Sequence, residues 1–279
     1  MQQNNYLLFL FPICKNKWTT IDKIIKSDNI KIIDKKLLYL TDIGKFNLIK
    51  NIYKNEDWLG TIDNNYDGLY YKLNSCFRHD DNSIIIYFIK TDLNTIIKVK
   101  NEIRNLCKIG NHSVHTTDTN EEYNTLSKYY NNTNTIKYLN TIKEMNFSNF
   151  NTLFNKLKQY IKLNNINVNN ICLSGSAVLS VFNLRDCYDI DFLSIDNIKD
   201  FETKIGSYNN HYLSSNFYKE QKIEISQIIN NDQYFFYYEG LKFMSLELIK
   251  TFKNLRNEEK DKHDILLIER ILNDENYRC

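Results

Sequence analysis

The chain alternates between continuous apolar runs and helical stripes. The run Tyr6–Phe11 (YLLFLF) predicts a buried strand. Its extension to Cys14 is too short to cross a bilayer and lacks a basic flank or a small-residue cleavage site. A second run, Ser83–Ile89, contains IIIYFI and predicts an interior strand covered on both faces. Shorter strands are expected over Lys36–Leu40 and Leu69–Leu73. Helical spacing places helices at Thr19–Lys26, Gly44–Tyr53, Leu93–Lys108 and Asn120–Tyr130. Asp92 is the expected cap of the third, and Asp118 with Glu121 and Glu122 opens the fourth.

The polar stretch 133–150 has no clear period and carries the expected domain boundary, near Glu144. Beyond it, Phe150, Leu153, Phe154, Leu157, Tyr160 and Ile161 form a helical stripe. A short strand at Ile171–Leu173 leads into a helix at Ala177–Leu184, then a strand at Asp189–Ile195. Gln221–Ile229 and Phe235–Tyr238 read as further strands, and Ser245–Leu272 as helix with a charged break at 257–262. The pattern is that of an α/β (α+β) protein with two domains, residues 1–144 and 145–279.

Composition narrows the function. With 42% hydrophobic and 25% charged residues, the chain is too apolar to be disordered. A net charge of +2 gives no global basic field, which argues against tight binding to a nucleic-acid backbone. The six cysteines form no CxxC pair, so buried reduced thiols are expected rather than a zinc knuckle or a disulfide framework. These features lead us to expect a cytoplasmic protein without a membrane partner.

The chemistry concentrates in Ile171–Ile195, ICLSGSAVLSVFNLRDCYDIDFLSI. A strand ends in Ser174-Gly175-Ser176, and a helix follows at once. Gly175 lets the backbone approach a phosphate, and the helix start offers N–H groups to an anion. Ser176 adds a hydroxyl. Asp189 and Asp191, two apart on a strand, project from one face. Such a pair repels unless a cation sits between, and Mg²⁺ is the natural occupant. Carboxylates in an otherwise apolar strand are costly if they only decorate it.

This arrangement of Gly175, Ser176, Asp189 and Asp191 resembles the polymerase-β-type nucleotidyltransferase superfamily over about residues 150–272. The resemblance implies a short mixed sheet with packed helices. It implies transfer of a nucleoside monophosphate from an NTP (ATP among them), using Mg²⁺ or Mn²⁺. It also implies a third carboxylate from a later strand, for which Glu224 fits an apolar–acid–apolar pattern. A plain solvent-facing Glu224 is equally compatible with the pattern, and Asp232 is a rival in a polar loop. The tail Tyr238–Ile268 also looks like small bacterial-type members. Its matching residues are Gly240–Phe243, Lys250, Lys253, Lys260, Asp261 and Asp264. Lys253 is the candidate phosphate ligand, and a solvated helix face is the alternative for most of these positions.

In the first half, Arg104, Lys108, His112, His115 and Asp118 gather around two helix ends. Three readings are open: an anion or sugar-phosphate site, a metal site of His112, His115 and Asp118, or loop capping. Trp58 to Gly60 and Cys76 to His79 could line the same face. The expected function is metal-dependent nucleotidyl transfer. Asp189, Asp191 and Glu224 hold the metal, while Gly175, Ser176 and Lys253 hold the nucleotide. Arg104, His112 and His115 recognise the acceptor, whether sugar phosphate or glycan, protein, or nucleic acid. The alternatives are a nucleotide-binding module without chemistry, and a transferase in the first half supported by the second.

Overall fold

The computed structural model describes residues 3–27, 30–77, 81–196, 208–210 and 223–278. The chain divides into two compact units, Met1–Lys128 and Tyr129–Arg278.

The first unit is built on an antiparallel sheet in the order β2-β3-β1-β4. Its strands are β1 (Asn4–Leu10), β2 (Lys31–Tyr39), β3 (Ser83–Thr91) and β4 (Val114–Thr116). The two continuous apolar runs become the two interior strands, paired from Asn4↔Thr91 to Leu10↔Ile85. Alternation turns Tyr6, Leu8, Leu10, Ile85, Tyr87 and Ile89 to one face. They pack there against Ile21 and Ile25 of α1 (Trp18–Ser27) and Ile96, Val99 and Ile103 of α4 (Leu93–Cys107). Burying each large aliphatic side chain contributes about 1.5–3 kcal/mol. The other set, Leu7, Phe9, Ile84, Ile86 and Phe88, is equally buried. Strand β2 is one edge, and the short β4 is the other. Strand β2 carries Lys31, Lys35 and Lys36, and its register shifts between Ile32 and Asp34, both common protections of an edge.

The remaining helices of this unit are α2 (Asp42–Ile52), α3 (Asp67–Cys76) and most of α5 (Asn120–Asn131). The strand expected at Leu69–Leu73 is instead part of α3. Its buried positions are Leu69, Lys72 and Cys76, a helical spacing hidden by the β-favouring Tyr70 and Tyr71, which are exposed. The caps follow the sequence more closely. Asp92 accepts from Thr95 N at 3.1 Å. At α5 the cap is Thr119, whose Oγ1 accepts from Glu122 N at 3.1 Å, rather than Asp118.

The second unit has a mixed sheet, β7-β6-β5-β9-β8. Its strands are β5 (Ile171–Ser174), β6 (Ile190–Ser194), β7 (Tyr208–Asn210), β8 (Phe235–Tyr238) and β9 (Leu241–Met244). β5 pairs antiparallel to β6 and parallel to β9. The stripe of α7 (Ser148–Leu163) buries Phe150, Phe154, Leu157 and Ile161. This unit starts earlier than the polar stretch near Glu144 suggests, because that stretch is tied to β8. Asn132 Nδ2 donates to the carbonyls of Asp232 and Phe235, both at 3.0 Å. Thr135 Oγ1 accepts from Tyr237 N at 2.8 Å, and the side chains of Asn132 and Thr135 are buried. These polar residues of the loop and of α6 (Thr133–Thr141) are polar because they satisfy strand backbone.

The strand expected at Gln221–Ile229 is also corrected. Gln221 lies outside the described residues, and Ile225–Asn230 is a short helix that buries Ile228 and Ile229. No described helix is long and apolar enough to cross a membrane. Cys14, Cys76, Cys107, Cys172 and Cys187 are buried free thiols.

Candidate functional site

Strand β5 delivers Ser174 to a position directly opposite Asp191 of β6. The chain then turns at Gly175 with φ 60° and ψ −138°, a backbone conformation that glycine adopts without penalty. The turn brings the glycine against the carboxylate. A Cβ built on Gly175 would lie 2.2 Å from Asp191 Oδ2 and 3.0 Å from its Cγ. Ser176 opens α8 (Ser176–Val181), and its Oγ lies 3.5 Å from Asp189 Oδ1, a long hydrogen bond. Asp189 and Asp191 flank the fully buried Ile190 and are themselves half-buried. The four residues singled out from sequence thus meet at one sheet end. The helix α8 has only six residues, so the dipole expected at its start is short.

Glu224 does not join them. It caps the helix Ile225–Asn230, accepting from a backbone N–H of that helix and, at 3.2 Å, from Ser226 Oγ. Among the described residues no group of three or more His, Cys, Asp or Glu side chains is placed to share a metal ion. Glu224 is therefore not placed to share an ion with Asp189 and Asp191. The expectation failed because an apolar–acid–apolar triplet fits a helix start as well as a strand. Asp232 sits in a short turn of 3₁₀ helix, where its carbonyl accepts from Asn132 and Asn134.

Lys253 is also corrected. Its Nζ donates to Asp261 Oδ1 at 3.1 Å and to Asp264 Oδ2 at 2.7 Å, with 8% of the side chain exposed. A buried ammonium needs such partners, and here it ties helix Leu246–Arg256 to helix Glu259–Leu272. The same aspartates hold two arginines. Arg185 makes a two-pronged bridge to Asp264 at 2.6 and 2.8 Å. Arg256 does so to Asp261 at 2.8 and 2.6 Å. Burial would raise the Asp261 and Asp264 carboxyls, but the hydrogen bonds from Arg256, Arg185 and Lys253 outweigh it and hold both below the usual range. Arg185 also feels the charge of Asp189, and Arg256 that of Asp191. Sequence reasoning passed over both arginines, although Arg185 stands just upstream of the acidic pair.

In the first unit, Arg104, His112 and His115 line one cavity of about 540 Å³. His115 Nε2 lies 2.9 Å from Glu122 Oε1, and its ring packs edge-on against Tyr53 at 5.0 Å. Lys72 enters from α3 and donates to Asn111 O at 2.7 Å. Asp118 faces Lys100 Nζ at 3.4 Å, and His112, His115 and Asp118 do not converge as metal ligands. Capping is real here: Glu122 Oε2 accepts from Asp118 N at 2.8 Å while its other oxygen meets His115. The Phe77 ring lies 5.8 Å from that of Phe11, just past β1, whereas Arg78 and His79 fall outside the described residues.

No protein-family model matches the chain, and no curated protein matches it. Among solved structures, an orthorhombic crystal form of the Aquifex aeolicus nucleoside diphosphate kinase aligns with a TM-score of 0.29 and 12% identity. It covers 43% of this chain and 89% of that one. So slight a likeness assigns neither fold nor activity.

Proposed function

We propose that the second unit is a metal-dependent nucleotidyltransferase, moving a nucleoside monophosphate from an NTP to an acceptor. The observation that carries the reading is the fit of Gly175 against Asp191, with Ser176 beside Asp189. With no Cβ on Gly175, the Asp191 carboxylate packs directly against the turn, which holds one of the two acids at the end of the sheet beside Ser176 and Asp189.

The donor set suits a hard divalent cation. Mg²⁺ is commonly bound by one or two carboxylates, with waters and substrate phosphates completing its shell. Asp189 and Asp191 would hold it. When bound, the ion neutralises phosphate charge and lowers the pKa of an acceptor hydroxyl. The chain's own residues do the rest. Gly175 lets the Asp191 carboxylate close on the turn, and the Ser176 hydroxyl, 3.5 Å from Asp189, would donate to a phosphate bound beside the acids. Arg185 and Arg256, oriented by buried aspartates, add positive charge next to the acidic pair and favour a polyphosphate there. Lys253 acts at one remove, by fixing the aspartates that aim the arginines.

The test is incubation with NTPs labelled at the α-phosphate, with Mg²⁺ or Mn²⁺, over pools of protein, RNA and sugar phosphates. Wild type is expected to transfer label to one pool, and Asp191→Asn to transfer none. Equal labelling by both proteins contradicts the reading. Metal-dependent NTP binding without labelling in any pool favours a binding module instead.

A further inference from the structure

We propose that the cavity of the first unit binds a small phosphorylated molecule carrying a planar ring, with its phosphate held by Lys72 and Arg104. The proposal concerns Met1–Lys128 alone and does not rest on the nucleotidyl-transfer reading. At about 540 Å³ the cavity has the size of a small-molecule site. Its charge is the first argument. Of the carboxylates that line it, Glu56 accepts from Trp58 Nε1 at 3.1 Å and Asp118 faces Lys100 at 3.4 Å. Among the described residues neither Lys72 nor Arg104 has a carboxylate partner. Arg104 Nε is buried with no acceptor. Lys72 is 4% exposed, and burial holds its ammonium below the usual lysine range. Two partly buried cations facing one space without a counterion favour a multiply charged anion, and phosphate is the group that such a pair fits best.

The walls are the second argument. Tyr53 forms a half-buried side, with Lys72 Nζ over its ring at 5.1 Å. Trp58 packs on Tyr53 at 5.1 Å, yet 44% of it is exposed, and Tyr71 is 69% exposed. Flat aromatic faces left open at a cavity rim, in reach of a cationic floor, suit a ligand with a ring at one end and a phosphate at the other. His115 is held against Glu122, so its ring is a fixed part of the lining.

The test is calorimetry on the full chain carrying Asp189→Asn and Asp191→Asn, so that the second unit does not contribute. The probes are AMP, ribose 5-phosphate, inorganic pyrophosphate and adenosine. AMP is expected to bind more tightly than ribose 5-phosphate, and adenosine to bind least. Arg104→Gln is expected to weaken AMP roughly ten- to a hundredfold, as loss of a charged hydrogen bond does. Trp58→Ala changes an exposed side chain, so folding is retained. It is expected to weaken AMP while leaving ribose 5-phosphate and pyrophosphate unchanged. If pyrophosphate binds as well as AMP and Trp58→Ala changes nothing, the ring is wrong and the proposal falls. AMP affinity unchanged in a folded Arg104→Gln, or no phosphate bound by the parent, overturns it outright. A failure of nucleotidyl transfer would appear separately, as NTP turnover indifferent to Asp191.

Discussion

At the residue scale the sharpest demand is at Gly175. A methyl group there would sit 2.2 Å from Asp191 Oδ2, on a backbone with φ 60°. Strain of this kind costs about 1–3 kcal/mol. Gly175→Ala is therefore expected to lower the melting temperature and to abolish NTP binding, both readable on one preparation. Ser176→Ala is milder. It loses one hydrogen bond to a charged phosphate, about 1.5–3 kcal/mol, and calorimetry should read a ten- to hundredfold weaker NTP. These residues were legible in the sequence because a tight turn and a paired-acid strand are local patterns. Glu224 was misread for the same reason. Its pattern is also local, and only the cap geometry tells strand from helix start.

At the scale of elements, the two C-terminal helices are joined by a charge cluster instead of an apolar seam. Asp261 and Asp264 are buried between Lys253, Arg256 and Arg185. Their folded carboxyls titrate below the unfolded value, so the stability they contribute is present above about pH 4, the unfolded carboxylate range. It is lost as pH falls through the lower, folded values. Acid melting followed by circular dichroism should show wild type losing stability below that range. In Asp261→Asn the acid-dependent part should shrink and stability at neutral pH should drop. Lys253→Met leaves two aspartates short of a partner. Breaking a buried pair from one side costs about 3–5 kcal/mol, so this variant should melt well below wild type. Asn132→Ala removes the cap that accepts from Thr135 N, together with donors it shares with Asn134 at the carbonyls of Asp232 and Phe235, and is expected to cost about 0.5–2 kcal/mol, measured by denaturant midpoint. The sequence showed helices and polar residues here but not their pairing, because partners in the cluster lie up to 79 residues apart along the chain. The helix at Leu69–Leu73 was hidden in a different way. Exposed Tyr70 and Tyr71 imitate a strand, and the buried face carries Lys72, which a hydropathy pattern counts as polar.

At the scale of the molecule, each unit presents its own chemistry. The first offers cations and open aromatic faces around one cavity. The second offers a glycine turn, two acids and two aspartate-held arginines at one sheet end. The interior strands β1 and β3 could be anticipated from their continuous apolar runs, and β5, β6 and β8 from shorter ones, whereas the short strands β4 and β7 could not. The cavity could not, because its cations come from α3 and α4 and its histidines from the loop and strand that follow. The most direct measurement is NTP affinity with and without Mg²⁺, by calorimetry, on wild type and Asp191→Asn. Binding that requires Mg²⁺ in wild type and is lost in the folded variant is the expected result. NTP affinity that ignores both Mg²⁺ and Asp191 would contradict a metal-dependent nucleotide site at Gly175, Ser176, Asp189 and Asp191.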